Sequence, residues 1–117
     1  MKKAKTFQEV EVWQKNHRLV LKIYRMTKDF PRYELFGLTS QIRRSGVSIP
    51  ANIVEGFKRK GSANKVRLYN IDQASLEETR YYLMLANDLG YADTEDLMRD
   101  IDEVARMLDG YVRAFDK

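Results

Sequence analysis

The sequence predicts an all-α protein, an antiparallel up-and-down bundle of four helices. Three observations lead there. Apolar residues recur at three- and four-residue spacing through nearly the whole chain, the period of an amphipathic helix. Two prolines and six glycines in 117 residues leave little room for the turns of an all-β fold. The segments that interrupt the periodicity are short, which makes consecutive helices antiparallel neighbours.

The first helix begins near Val10. Trp13, Val20 and Tyr24 fall on one line, with Leu19, Ile23 and Met26 beside it. Lys15, Arg18, Lys22 and Arg25 take the other side. The helix ends near Lys28, because Pro31 restricts Phe30 and stops continuation. Residues 29–35 lead to a second helix that starts near Phe36 or Gly37. Leu38, Ile42, Ile49 and Ile53 share its face, which passes through Ser45 or Gly46, small enough for another backbone to approach. Pro50 lies inside this pattern. It has no N–H for the carbonyl of Gly46, and its ring crowds that carbonyl. The expectation is one helix kinked at Pro50. The alternative is a break at Val47–Ile49, with Pro50 opening a new helix.

Gly56 and Gly61 bracket FKRK and turn the chain. Ser62 is the candidate N-cap of a third helix running to about Leu89, roughly 40 Å long. Tyr69, Leu76 and Leu83 lie one heptad apart, with Asp72, Gln73, Thr79 and Arg80 between them, the mark of a bundle helix with partly polar packing. Gly90 is placed to close it as the C′ residue. Thr94 is the candidate cap of the fourth helix, with Asp93, Glu95 and Asp96 at its positive end. Leu97, Ile101, Val104, Leu108, Tyr111 and Phe115 form its heptad seam.

This length makes one domain, 1–117, whose first residues, 1–8, read as a flexible basic arm. The absence of cysteine excludes a disulfide framework, a Cys metal site and a thiol nucleophile, and fits a cytoplasmic setting. No apolar run suits a signal peptide or a membrane span. The net charge of +4 conceals a split. Residues 1–67 carry 16 Lys/Arg against 5 Asp/Glu, and residues 68–117 carry 5 against 12. The basic half faces a polyanion such as nucleic acid, or the two halves pair with each other within or between chains.

No catalytic set emerges, and the expectation is a protein that is not an enzyme, with no cofactor and no metal. His17 is the one histidine, without neighbouring carboxylates at ligand spacing, and reads as a helix-edge imidazole. Glu77/Glu78 and Asp96/Asp100/Glu103 lack the Glu-x-x-His partners of di-metal bundles and read as a solvated acidic face. No phosphate loop, nucleophile elbow or zinc motif is present. The second helix, however, carries a polar stripe of Gln41, Arg44, Ser48, Asn52 and Glu55. Ser and Asn form helices poorly, so their recurrence on one stripe points to a packed polar surface, here a candidate oligomer interface. Arg43, Lys58, Arg59, Lys60, Lys65 and Arg67 gather around the same helix and its exit, where they could neutralise phosphates of RNA or DNA without reading sequence. Phe57 and Tyr69 nearby are placed to stack on bases or to pack in the core.

Three stretches together, EVWQKNHRLVLKIY, GLTSQIRRSGVSIPANIVEGFKR and LYNIDQASLEETRYYLMLANDLGY, resemble the bacterial family named for proteins encoded in intervening sequences of 23S rRNA genes. The likeness runs from about Val10 to Phe115, and its most specific part is Gln41 through Gly56. The resemblance implies an up-and-down four-helix bundle that assembles with itself as a homopentamer and has no established catalytic activity. A related group is similar to accessory proteins of diversity-generating retroelements, basic pentamers that bind a reverse transcriptase and nucleic acid. By that analogy a reverse transcriptase is a candidate partner.

Overall fold

The computed structural model describes residues 3–115. Its four α-helices are α1 Glu11–Thr27, α2 Leu38–Lys58, α3 Ser62–Asp88 and α4 Glu95–Arg113, and the described residues contain no strand. α1 packs against α2 and α4, and α3 packs against the same two, so the helices form a square with no contact across its diagonals among the described residues. α2 and α3 share the most extensive seam. α3 is the longest helix, with 27 residues, and the described residues span 44 × 23 × 21 Å. No described helix is long and apolar enough to cross a membrane.

Of the expected basic arm, residues 1 and 2 lie outside the described residues. The remainder is built into the fold. Ala4 packs against the core, and Phe7–Glu9 form one 3-10 turn. Phe7 meets Trp13 edge-on at 5.0 Å. The Glu9 carboxylate accepts the backbone N–H of Lys5 at 2.5 Å and of Thr6 at 3.4 Å.

The buried line of α1 is Val12, Asn16, Leu19, Ile23 and Thr27, which corrects the expected stripe. Tyr24, placed on the core line by the sequence, is 40% exposed. Two polar residues occupy core positions and conceal the true phase. Thr27 can do so because its hydroxyl donates to the Ile23 carbonyl at 2.8 Å. The buried face of α2 follows expectation: Leu38, Ile42, Ser45, Gly46, Ile49, Pro50, Ile53 and Gly56 are buried, and one helix runs through Pro50. The alternative break at Val47–Ile49 does not occur. Both glycines mark close approaches. A Cβ on Gly46 would sit 3.0 Å from Ile23 Cδ1, and one on Gly56 would sit 2.8 Å from the Tyr69 ring.

The helix ends are closed by residues that differ in part from those expected. Ser62 is the first residue of α3 and caps nothing; the cap position belongs to Gly61, whose φ of 87° favours glycine. Gly90, at φ 77°, completes a Schellman motif as expected: its N–H bonds the Asn87 carbonyl at 3.0 Å and that of Tyr91 bonds Ala86 at 2.9 Å. Thr94 occupies the N-cap of α4 without a side-chain cap bond. Its hydroxyl turns inward to the Leu83 carbonyl at 3.0 Å, and Asp93 accepts the Glu95 N–H at 3.1 Å instead. Thr94 therefore ties α4 to α3, and the neighbouring aspartate does the capping.

Candidate functional site

The seam between α2 and α3 is a ladder of polar side chains inside the protomer. Thr79 donates to Ser45 Oγ at 2.8 Å, and Ser48 donates to the Ser45 carbonyl at 2.7 Å. One turn further, Asn52 Nδ2 donates to Asp72 Oδ1 at 2.9 Å. Asp72 is fully buried, and its Oδ2 has no partner among the described residues. Burial pushes its pKa up to about 8, against the opposing pull of the Asn52 amide. Tyr69, the next residue along the seam, is a buried phenol that burial keeps neutral. Its ring lies under Gly56 and 5.3 Å from that of Tyr111.

The predicted interface stripe therefore divides. Ser48 and Asn52 are half-buried and bonded within the chain, whereas Gln41, Arg44 and Glu55 are exposed. Glu55 pairs with Arg59 one turn on, at 2.6 Å. The solvent side of the stripe lines something the sequence did not reveal. Arg43, Arg44, Val47 and Ser48 join Tyr24 and Phe36 around an open groove of about 610 Å³. Phe36 is 93% exposed. Arg43 is held across α1, donating to Thr27 Oγ1 at 2.8 Å with its guanidinium 4.7 Å above the Tyr24 ring. Phe36 lies in a connection, outside any periodic run, and Tyr24 was assigned to the core, so neither carried a signal of exposure.

The predicted nucleic-acid residues divide in the same way. Arg43 stands about 22 Å along α2 from Lys58, too far to share one phosphate contact with the others. Lys58, Arg59 and Lys60 cluster at the exit of α2, all exposed, and Arg67 is exposed on α3. Lys65 is used by the fold. Its ammonium donates to the carbonyls of Gly56 at 2.8 Å and Phe57 at 3.1 Å, capping the end of α2. Burial and the nearby Lys3 charge lower its pKa. Phe57, Tyr111 and Phe115 surround this end of the bundle, and the seam residues of α4 thus reach the basic cluster.

The acidic side reads differently from a plain solvated face. Asp100 sits between Lys15 and Lys22 of α1, at 3.1 and 2.7 Å, and Lys15 also pairs with Glu103 at 3.1 Å. Burial alone would raise Asp100, but the two ammoniums hold it below the usual carboxylate range. Arg80 of α3 pairs with Asp102 of α4. His17 is exposed and stacks on Trp13 at 5.0 Å. Among the described residues, no group of three or more His, Cys, Asp or Glu is arranged to hold a metal ion.

Residues 8–110 match the family model of the 23S rRNA-intervening sequence protein. Among solved structures, the chain is similar to a protein of unknown function from the S23 ribosomal protein family of Bacteroides thetaiotaomicron. The TM-score is 0.80 at 27% identity, over 87% of this chain and 95% of the other. No curated protein matches.

Proposed function

The chain belongs to the 23S rRNA-intervening sequence protein family, and from that premise we propose that it is a non-catalytic, cytoplasmic, self-assembling protein that binds nucleic acid or scaffolds a ribonucleoprotein. The observation that carries this reading is where the positive charge is left over. Only Lys15 and Lys22 of the basic half pair with acids of the second half among the described residues. Lys58, Lys60 and Arg67 stay exposed and outside any ion pair among those residues. Charge pairing within the chain thus accounts for α1 against α4 and leaves the exit of α2 positive. Such a cluster attracts phosphates through counterion release, with little preference for sequence.

Self-assembly rests on two unlike apolar surfaces. One is the groove at Phe36, Tyr24 and Val47, rimmed by Arg43 and Arg44. The other is the outer face of α3, where Ile71 is 46% and Tyr81 58% exposed beside Glu77 and Glu78. Apolar area and opposite charge make the two complementary. Contact between unlike patches is heterologous, a geometry that gives a ring when the rotation between copies closes, and the family resemblance suggests five copies. A reverse transcriptase is a further candidate partner of the assembled basic surface.

The test is retention of a mixed RNA pool over a salt series, alongside the charge-reversal variant at Lys58, Arg59 and Lys60. Affinity should fall steeply as salt rises, and the variant should lower the log–log salt slope by about 2 to 3. Its mass by light scattering should be unchanged. RNA binding that ignores salt would end the electrostatic reading. Loss of the oligomer in the variant would favour the second reading, a purely structural module in which these charges serve assembly.

A further inference from the structure

We propose that the end of the bundle where α2 exits holds a built pocket for one nucleotide unit of a single-stranded nucleic acid, its base against aromatic rings and its phosphate on the surrounding cations. This rests on the nucleic-acid reading and gives that surface a specific geometry. The pocket has a volume of about 400 Å³ and is lined by Lys3, Phe57, Arg59, Lys65, Tyr111 and Phe115. That size lies within the range of small-molecule sites. Its composition is unusual for a bundle end: three cations, three aromatic rings and no lining carboxylate among the described residues.

Two of the rings, Tyr111 and Phe115, are packed on each other and on Tyr69. Tyr111 and Phe115 meet at 5.1 Å, nearly perpendicular, and each stands within 6.0 Å of the buried Tyr69. A perpendicular pair presents one ring face and one ring edge to the space beside it, a ready platform for a planar base. The cations are held around these rings. Lys65 Nζ lies 5.2 Å from the Phe115 centroid and 5.9 Å from that of Phe57. Two of its three protons are committed to the α2 carbonyls, which fixes the ammonium in place. Arg59 spends one N–H on Glu55 and retains four donors. Lys3 and Lys65 lie close enough for the first to lower the pKa of the second, a repulsion that a bound phosphate relieves.

A polyanion with no bases would use the cations alone. Duplex nucleic acid would present phosphates with its bases already stacked. An unpaired nucleotide uses both halves of the pocket.

The test is an NMR titration of the full chain with four probes: inorganic phosphate, AMP, a short oligoadenylate, and an RNA duplex of the same length. Oligoadenylate is expected to shift the ring resonances of Phe57, Tyr111 and Phe115 together with the Arg59 guanidinium. It should bind more tightly than AMP, and AMP more tightly than phosphate. Phe115→Leu and Arg59→Gln should each weaken oligoadenylate by about tenfold, with the fold checked by circular dichroism. Phosphate matching AMP would overturn base recognition, and AMP matching oligoadenylate would overturn the strand as source. A duplex that binds as well as the single strand would overturn the requirement for an unpaired base. Rings unmoved by oligoadenylate, while the RNA pool is still retained at low salt, would remove the pocket and leave the broader reading standing. Loss of retention by the unaltered protein would remove that reading itself.

Discussion

Asp72 is the residue where the fold works against solvation. Its carboxyl is fully buried with one oxygen bonded to Asn52 and the other unpartnered among the described residues. A carboxylate there gives up hydration that one amide cannot replace, so the neutral acid is favoured and the pKa rises to about 8. The unfolded chain returns the group to about 3.9. The folded state therefore holds its proton more tightly, and the contribution of Asp72 is complete below about pH 4. It declines as pH rises toward 8, by up to about 1.4 kcal/mol per pH unit. Asp72→Asn keeps an acceptor for Asn52 and removes the titration. In urea unfolding the variant should gain on the parent by about 2 kcal/mol or more on going from pH 5 to pH 8. An unchanged difference between the two pH values would show that Asp72 reaches water. Asp100 does not interfere, because its depressed pKa makes its stabilisation vanish only as pH falls through the acid range.

Among elements, α2 and α3 depend on close contact at Gly56. A Cβ there would lie 2.8–2.9 Å from two ring carbons and the hydroxyl oxygen of Tyr69, and that ring is enclosed by Tyr111 and Phe115. Gly56→Ala should destabilise by about 1–3 kcal/mol despite better helix propensity. Gly110→Ala, where nothing stands within 4 Å of the new Cβ, should stabilise by about 0.5–1 kcal/mol. Thermal unfolding of the pair checks both signs, and equal effects would mean that the Tyr69 ring moves aside. The elements show what was legible beforehand. α2 and α4 were readable because their core positions are apolar at nearly every turn, so periodicity alone fixed the buried face. α1 was misphased because Asn16 and Thr27 stand on its core line. The polar stripe of α2 was recognised, but the partners of Ser45 and Asn52 were not, because Thr79 and Asp72 are 34 and 20 residues away. The basic cluster was visible as composition. The enclosing rings were not, since Tyr111 and Phe115 come from the far end of the chain and read as ordinary seam residues.

At the scale of the whole molecule, the two exposed apolar surfaces are carried by different helices. The Phe36 groove belongs to the α1–α2 side and carries Arg43 and Arg44; the α3 face carries Ile71, Tyr81, Glu77 and Glu78. If each surface docks the other with no twofold axis between the copies, each copy needs two neighbours. Assembly then continues until a ring closes, where the rotation between neighbours divides a full turn, and otherwise runs on as a filament. On that proposed assembly, Phe36→Glu and Tyr81→Glu should each prevent association, because a charge buried against an apolar patch costs several kcal/mol. Neither should alter the fold, as Phe36 is 93% and Tyr81 58% exposed in the single chain. Mixing the two variants separates the possible symmetries. The first retains an intact α3 face and the second an intact groove, so one good contact can form between them and none beyond it. Light scattering of the mixture should therefore show a heterodimer and no ring. Homodimers of each variant alone, unchanged on mixing, would mean that each surface pairs with its own kind, which gives twofold contacts and excludes the ring.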